Sequence, residues 1–231
     1  MLVLGNKNIS VEISVAGVKI KSTDSVELLG INIDSTLSFS EHIKTLCSIT
    51  KNRIWGLNRI RCYLCFDQRK LIFNAYIMSM FYYAPIIWMF CNKTTYEEIT
   101  KVHKRALRSL LCDFRSSYEV LLQNAKCKTV HEIHLFFLLC EVFKSENNLN
   151  PKFMQQIFLT KKIKFDLRNK VLMSLPSANS QRFGTQSFVF RGSLLWNQIP
   201  ESSKLEKSID SFKSSLEKIN LSNICLCKIC T

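Results

Sequence analysis

The chain has 231 residues, 47% of them hydrophobic and 11% aromatic, which suffices for a packed core and excludes a purely disordered polymer. Its 32 lysines and arginines outnumber 18 acids, a formal net charge of +14 that favours an anionic partner, with nucleic acid first and a membrane surface second. Met1 to Gly5 is too short an apolar stretch for a signal peptide, so the ten cysteines are expected in a reducing intracellular compartment, nucleus or cytoplasm, and not in a secreted disulfide framework.

In chain order, apolar and polar residues alternate at Val11, Ile13 and Val15, turn near Ala16-Gly17 and resume at Val18 and Ile20, the pattern of a β-hairpin. A third strand is expected over Val26 to Ile33. From residue 38 the period becomes helical, and four Ser/Thr-x-x-Glu capping boxes mark helix starts: Ser38 with Glu41, Thr94 with Glu97, Ser116 with Glu119, and Thr129 with Glu132. Asp67 is expected to cap a further helix over the apolar run 71–91. That run is uncharged and long enough to span a bilayer, flanked by Arg69, Lys70 and Lys93; Asn74, Ser79, its tyrosines and Pro85 favour a buried core helix instead.

The first long helix gathers Ile43, Leu46, Thr50, Ile54, Leu57 and Leu64 on one face, and the helix after residue 94 gathers Ile99, Val102, Ala106 and Leu110. The second of these also carries Lys101, Lys104, Arg105 and Arg108 at three- and four-residue steps, so its outer face is a basic stripe, either a solvated face or one that tracks phosphates. Residues 1–40 hold 3 bases and 4 acids, whereas 41–115 hold 13 and 5, and 116–231 hold 16 and 9, so the basic charge belongs to the helical body. The polar string from Ser145 to Asn148 and then Pro151 end the regular pattern, so residues 146–151 are the expected internal boundary. Residues 152–191 carry 8 bases against the single acid Asp166, as expected of a solvent-facing connection. Residues 181–200 mix aromatics, glycines and a terminal proline, which predicts a short strand and turn anchored by Trp196. A last amphipathic helix is expected over Ser208 to Ile219 with Ile209, Phe212, Leu216 and Ile219 inward.

Two-metal polymerases and nucleases need neighbouring carboxylates on a tight turn, and the aspartates Asp24, Asp34, Asp67, Asp113, Asp166 and Asp210 are all isolated. The six glycines form no phosphate-binding loop. His42, His103, His131 and His134 fall on predicted helices and are expected to be structural or surface residues rather than catalytic bases. No catalytic residue and no resident cofactor are therefore assigned. Seven cysteines lie along apolar segments as small hydrophobes, while Cys225, Cys227 and Cys230 have the closeness of zinc ligands; they are one ligand short, unless a distant residue such as Cys127 or a partner chain completes the set.

Several separated strings resemble one family. Leu28-Leu29-Gly30-Ile31 with Asp34, Leu37-Ser38-Phe39, His42-Ile43 and Leu57-Asn58-Arg59-Ile60 resemble the segment after the catalytic palm in reverse transcriptases of non-LTR retrotransposons, the jockey-like elements in particular. Tyr83, Pro85 and Trp88, then His103 through Arg108, Ser116 through Glu119, Gly184, Leu195-Trp196-Asn197 through Pro200, and the closing Cys-x-Cys-x-x-Cys stand in the order of that family's C-terminal region. The resemblance covers nearly the whole chain. It implies an RNA-directed DNA polymerase as the parent, whose magnesium-binding aspartates have no counterpart here, since Leu2 to Asn6 resembles the strand just after them.

On this likeness the fold class is α+β and mainly α: a small N-terminal antiparallel β-hairpin or sheet, a helical thumb-like bundle and an irregular C-terminal region. Residues 1–37 would be palm-end strands, 38–146 the thumb-like domain, and 147–231 a basic linker, a strand/turn region and a terminal helix with a cysteine tail. The implied function is a reverse-transcriptase fragment without polymerase activity of its own, binding RNA or DNA through Lys101, Lys104, Arg105 and Arg108, then Lys44 and Lys51. The alternatives are a membrane-associated protein with its span at 71–91, and a transposon remnant that would unfold with poor cooperativity.

Overall fold

The structure, a computed structural model, describes residues 1–5, 11–158, 172–180 and 184–224. Residues 161–164 of the basic connection and Cys225, Cys227 and Cys230 lie outside the described residues. The described part is an α+β protein, mainly α, with two antiparallel hairpins ahead of a run of helices. Two compact units emerge, one of residues 1–84 with 91–127, the other of residues 85–90 with 128–231. The division at 127/128 falls inside the segment 38–146 that the sequence suggests is a single domain.

In the first unit, β1 (Glu12–Val15) pairs with β2 (Val18–Lys21) in the register Val15↔Val18, Ile13↔Ile20. The Ala16-Gly17 turn has φ of 50° and 79°, the doubly left-handed backbone that a two-residue hairpin requires. The expected single strand over Val26 to Ile33 is corrected to a second hairpin, β3 (Ser25–Leu28) with β4 (Ile31–Asp34). Its turn is Leu29-Gly30, again with both residues at positive φ, 51° and 76°. The leucine hides the turn from a composition-based reading, because an apolar residue at that φ is uncommon.

Asp34 then organises the entry to α1 (Ser40–Ile60). Its carboxylate accepts from the backbone N–H of Thr36 at 3.0 Å, of Ser38 at 3.0 Å and of Phe39 at 2.7 Å, and from the hydroxyls of Thr36 and Ser38 at 2.5 and 2.9 Å. The chain reaches the helix through Phe39 at φ 53°, so the Ser38–Glu41 box does not form and Glu41 pairs with Lys44 instead. As expected, α1 buries Ile43, Leu46, Thr50, Ile54 and Leu57. Leu64 lies beyond the helix, after the 3₁₀ turn Arg61–Tyr63, and is half-buried.

The apolar run 71–91 is not one helix. α2 (Phe66–Ile72), capped by Cys65 with Gln68 rather than by Asp67, passes into a π turn, Phe73–Met78, and then α3 (Ser79–Tyr82). Phe73, Ile77, Met78 and Phe81 are buried while Asn74, Tyr76 and Tyr82 are exposed, so the run is amphipathic in space although not in composition. Ala84 at φ 44° breaks it ahead of α4 (Pro85–Trp88). Among the described residues no helix is long and apolar enough to cross a membrane. α5 (Lys93–Leu111) and α6 (Tyr118–Ala125) complete the first unit, α5 packing on both α1 and α6.

The second unit centres on α7 (Val130–Glu146), whose expected capping box is present: Glu132 N–H donates to Thr129 Oγ1 at 3.1 Å and Thr129 N–H donates to the Glu132 carboxylate at 2.9 Å. Around α7 come α8 (Lys152–Gln155), α9 (Phe188–Gln198), α10 (Glu201–Lys204), α11 (Ile209–Glu217) and α12 (Leu221–Ile224). The core joins Leu138, Leu139 and Phe143 to Trp196, Phe212 and Leu216, with Phe143 and Phe212 stacked at 4.3 Å. Burying each such side chain contributes about 1.5–3 kcal/mol, and the ring pair about 1 kcal/mol more.

Residues 188–198 are helical, which corrects the expected strand and turn. Ser187 caps the helix by accepting from Phe190 N–H at 3.3 Å, and Gly192 lets it approach α7 so closely that an added Cβ would lie 2.9 Å from Val142 and Phe158 atoms. Trp196 is buried as an anchor. Its neighbour Asn197 accepts from Met173 N–H at 2.8 Å and donates to Met173 C=O at 3.0 Å, so one side-chain amide pairs with both backbone polar groups of that residue. The last amphipathic helix forms with Ser208 as its cap and Phe212 and Leu216 buried, but it ends at Glu217, so the expected Ile219 lies beyond it and, like Ile209, is half-buried.

Candidate nucleic-acid interface

α5 is positioned by its two ends and its apolar face. Asn92, two residues ahead of the expected Thr94, caps it by accepting from Thr95 N–H at 2.9 Å. Ile99, Val102, His103, Ala106, Leu107 and Leu110 are buried. The helical period therefore turns Lys101, Lys104, Arg105 and Arg108 to the opposite face, Lys101 and Arg105 exposed, Lys104 and Arg108 half-buried. These four expected residues do share one surface. At its C-terminal end the stripe meets two acids.

Those acids are Asp113, which accepts from the N–H groups of Arg115 and Ser116 at 3.0 and 3.1 Å, and Glu119 in the first turn of α6. The hydrogen bonds from Ser116 and Arg115, with a contribution from Arg108, hold the Asp113 carboxyl below its usual range. Glu119 is likewise lowered, first by a backbone hydrogen bond and by Ser117, then by Lys104. Both acids stay ionised and partly offset Arg108 and Lys104. The cap of α6 is Ser117, one residue beyond the expected Ser116.

Beneath the stripe, the Tyr118 hydroxyl and His103 Nδ1 share a 2.7 Å hydrogen bond, and burial lowers the His103 pKa to about 4. In the second unit burial, with His131 nearby, takes His134 to about 3. Burial lowers His42 as well. All four histidines are buried on helices. The cysteines divide: Cys47, Cys91 and Cys140 are buried, with Cys47 and Cys140 pushed up to about 11 by desolvation, whereas Cys62, Cys65 and Cys112 are exposed. Among the described residues no three His, Cys, Asp or Glu side chains are grouped to hold a metal ion.

Lys44 and Lys51 stand exposed on α1, Lys44 donating to Glu41 at 2.8 Å. Sequence reading missed four cation–π pairs in this unit. Arg53 lies over the Tyr76 ring at 4.6 Å, Arg59 over Trp55 at 4.8 Å, Arg61 over Phe114 at 4.8 Å and Lys70 over Phe66 at 5.9 Å. Two of them follow the i, i+4 spacing, Trp55 with Arg59 and Phe66 with Lys70, and were visible in principle. The other two join residues 23 and 53 positions apart and are set by the fold alone. In each pair the cation is attracted by the negative face of the ring. No protein-family model, no curated protein and no solved structure matches this chain.

Proposed function

We propose that this chain is the thumb-and-tail part of a reverse-transcriptase-like protein and that it holds RNA or DNA through phosphates. The observation that carries the proposal is the α5 stripe: four cations on the face opposite a fully buried apolar face, so the charge is presented by a helix whose orientation is fixed by packing. Contacts of this kind position a backbone and read no sequence. Of the described aspartates, Asp34 and Asp113 accept from backbone N–H groups and Asp210 pairs with Lys213. The role proposed here is holding, with no chemical step assigned to these residues.

If each of the four cations neutralises one phosphate, log K should fall with log salt at a slope of about −3.6, roughly a hundredfold between 50 and 200 mM. Filter binding with duplexes of unrelated sequence tests this. Lys101→Glu with Arg105→Glu, the two exposed positions, should lower affinity for every sequence alike and reduce the slope by about 2. Binding that is absent, or that does not respond to salt, overturns the proposal.

A further inference from the structure

The exposed face of α1 carries Lys44, Ser48, Lys51, Trp55 and Arg59, successive at three- and four-residue steps and all exposed. They form one straight stripe about 22 Å long. Trp55 is unusual within it. Of the three tryptophans, Trp88 and Trp196 are 0% and 1% exposed, whereas Trp55 is 62% exposed, with the Arg59 guanidinium 4.8 Å from its ring centroid. An indole left in water forgoes the burial that a tryptophan ordinarily gains in a core.

We infer that Trp55, with Arg59 beside it, is a stacking platform for an unpaired base, so that the α1 stripe takes single-stranded nucleic acid. This rests on the proposal that the chain holds nucleic acid, and adds a class of substrate and a residue to it. The occupant follows from the chemistry side by side on the helix. Lys44, Lys51 and Arg59 complement a phosphate backbone, and an exposed indole offers a π face of the kind on which bases of any sequence stack. A duplex keeps its bases stacked on one another and offers Trp55 nothing, whereas a single strand offers bases and phosphates together. The ion pair of Lys44 with Glu41 is no obstacle, because exposed pairs of this kind are weak and exchange readily with a phosphate.

The test uses the full chain and the fluorescence of its one exposed indole. The probes are a thymidine oligonucleotide, an abasic oligomer of equal length and charge, and a duplex. Stacking predicts quenching by the thymidine strand and little by the abasic oligomer or the duplex. Trp55→Ala should weaken the thymidine strand roughly 5- to 150-fold and leave the other two unchanged, while Trp55→Phe should retain most of the affinity. The thermal midpoint of Trp55→Ala should match that of the parent, given the exposure of the side chain. Equal weakening of all three probes, or unchanged affinity for all of them, overturns stacking but leaves the phosphate-holding role of α5 intact. No binding of any probe overturns both. Quenching by anionic phosphatidylserine vesicles with none by the thymidine strand reassigns the surface to lipid and also overturns it.

Discussion

Asp34→Asn isolates the charge that organises the hairpin-to-helix junction. The replacement keeps the size of the side chain and one oxygen acceptor but removes the negative charge that receives five hydrogen bonds from Thr36, Ser38 and Phe39. Burial works to raise the Asp34 pKa, yet the hydrogen bonds from Ser38, Thr36 and Phe39 outweigh it and bring the value from 3.8 down to about 2. Taken at face value that difference corresponds to about 2.4 kcal/mol of stability. Because the carboxylate is partly open to solvent, screening reduces the expected figure to about 1–1.5 kcal/mol. A folded value below the unfolded one means that the stabilisation is complete above about pH 4 and disappears as pH falls through about 2. By pH 3 just under half of it is gone. Urea unfolding of parent and variant at pH 6 and pH 3 measures both quantities. A difference that is equal at the two pH values, or a cost below about 0.3 kcal/mol at pH 6, would refute the assignment of Asp34 as a charged cap.

Two further outcomes concern stability. Gly192→Ala would ordinarily favour a helix, but here its Cβ would meet Val142 and Phe158 at 2.9 Å, so a net loss of about 1–3 kcal/mol is expected from urea midpoints, and a gain would show that α9 and α7 can part without cost. His103, whose burial lowers its pKa from 6.5 to about 4, should be taken up neutral; stability from this group is full above pH 6.5 and is lost as pH falls toward 4. His103→Gln should therefore narrow its stability gap to the parent by about 2 kcal/mol between pH 7 and pH 5. Parallel pH profiles would exclude that origin.

Much of this architecture is legible in the residues because local and tertiary preferences agree. The β1–β2 hairpin follows from valine alternation and Ala16-Gly17, and the buried faces of α1 and α5 follow from apolar spacing. Where they disagree, the pattern misleads. Leu29 occupies a turn position that looks like strand, and Phe188-Val189-Phe190 with Gly192 looks like a strand and turn although Ser187 caps it as a helix. Asn92 and Ser117 win the caps that Thr94 and Ser116 were expected to supply, since any nearby side-chain oxygen can satisfy the same N–H groups. The basic stripe of α5 is visible from charge spacing alone. Asp113 and Glu119 at its end, and the rings beneath Arg53 and Arg61, are brought there by the fold and carry no short-range signal.

The six residues 85–90 give the chain an interleaved topology. They belong with residues 128–231 although the polypeptide on both sides of them belongs to the first unit, so neither unit is a contiguous stretch of sequence. Cleavage at 127/128 would send Trp88, fully buried and 4.5 Å edge-on to His134, away with the wrong piece. The N-terminal piece would keep every residue of the first unit, whereas the second unit could be rebuilt only by recombining the two, with α4 returned against α7. Synthesis imposes the same order of events, for the first unit can close while those residues still wait for a helix that begins some forty positions later.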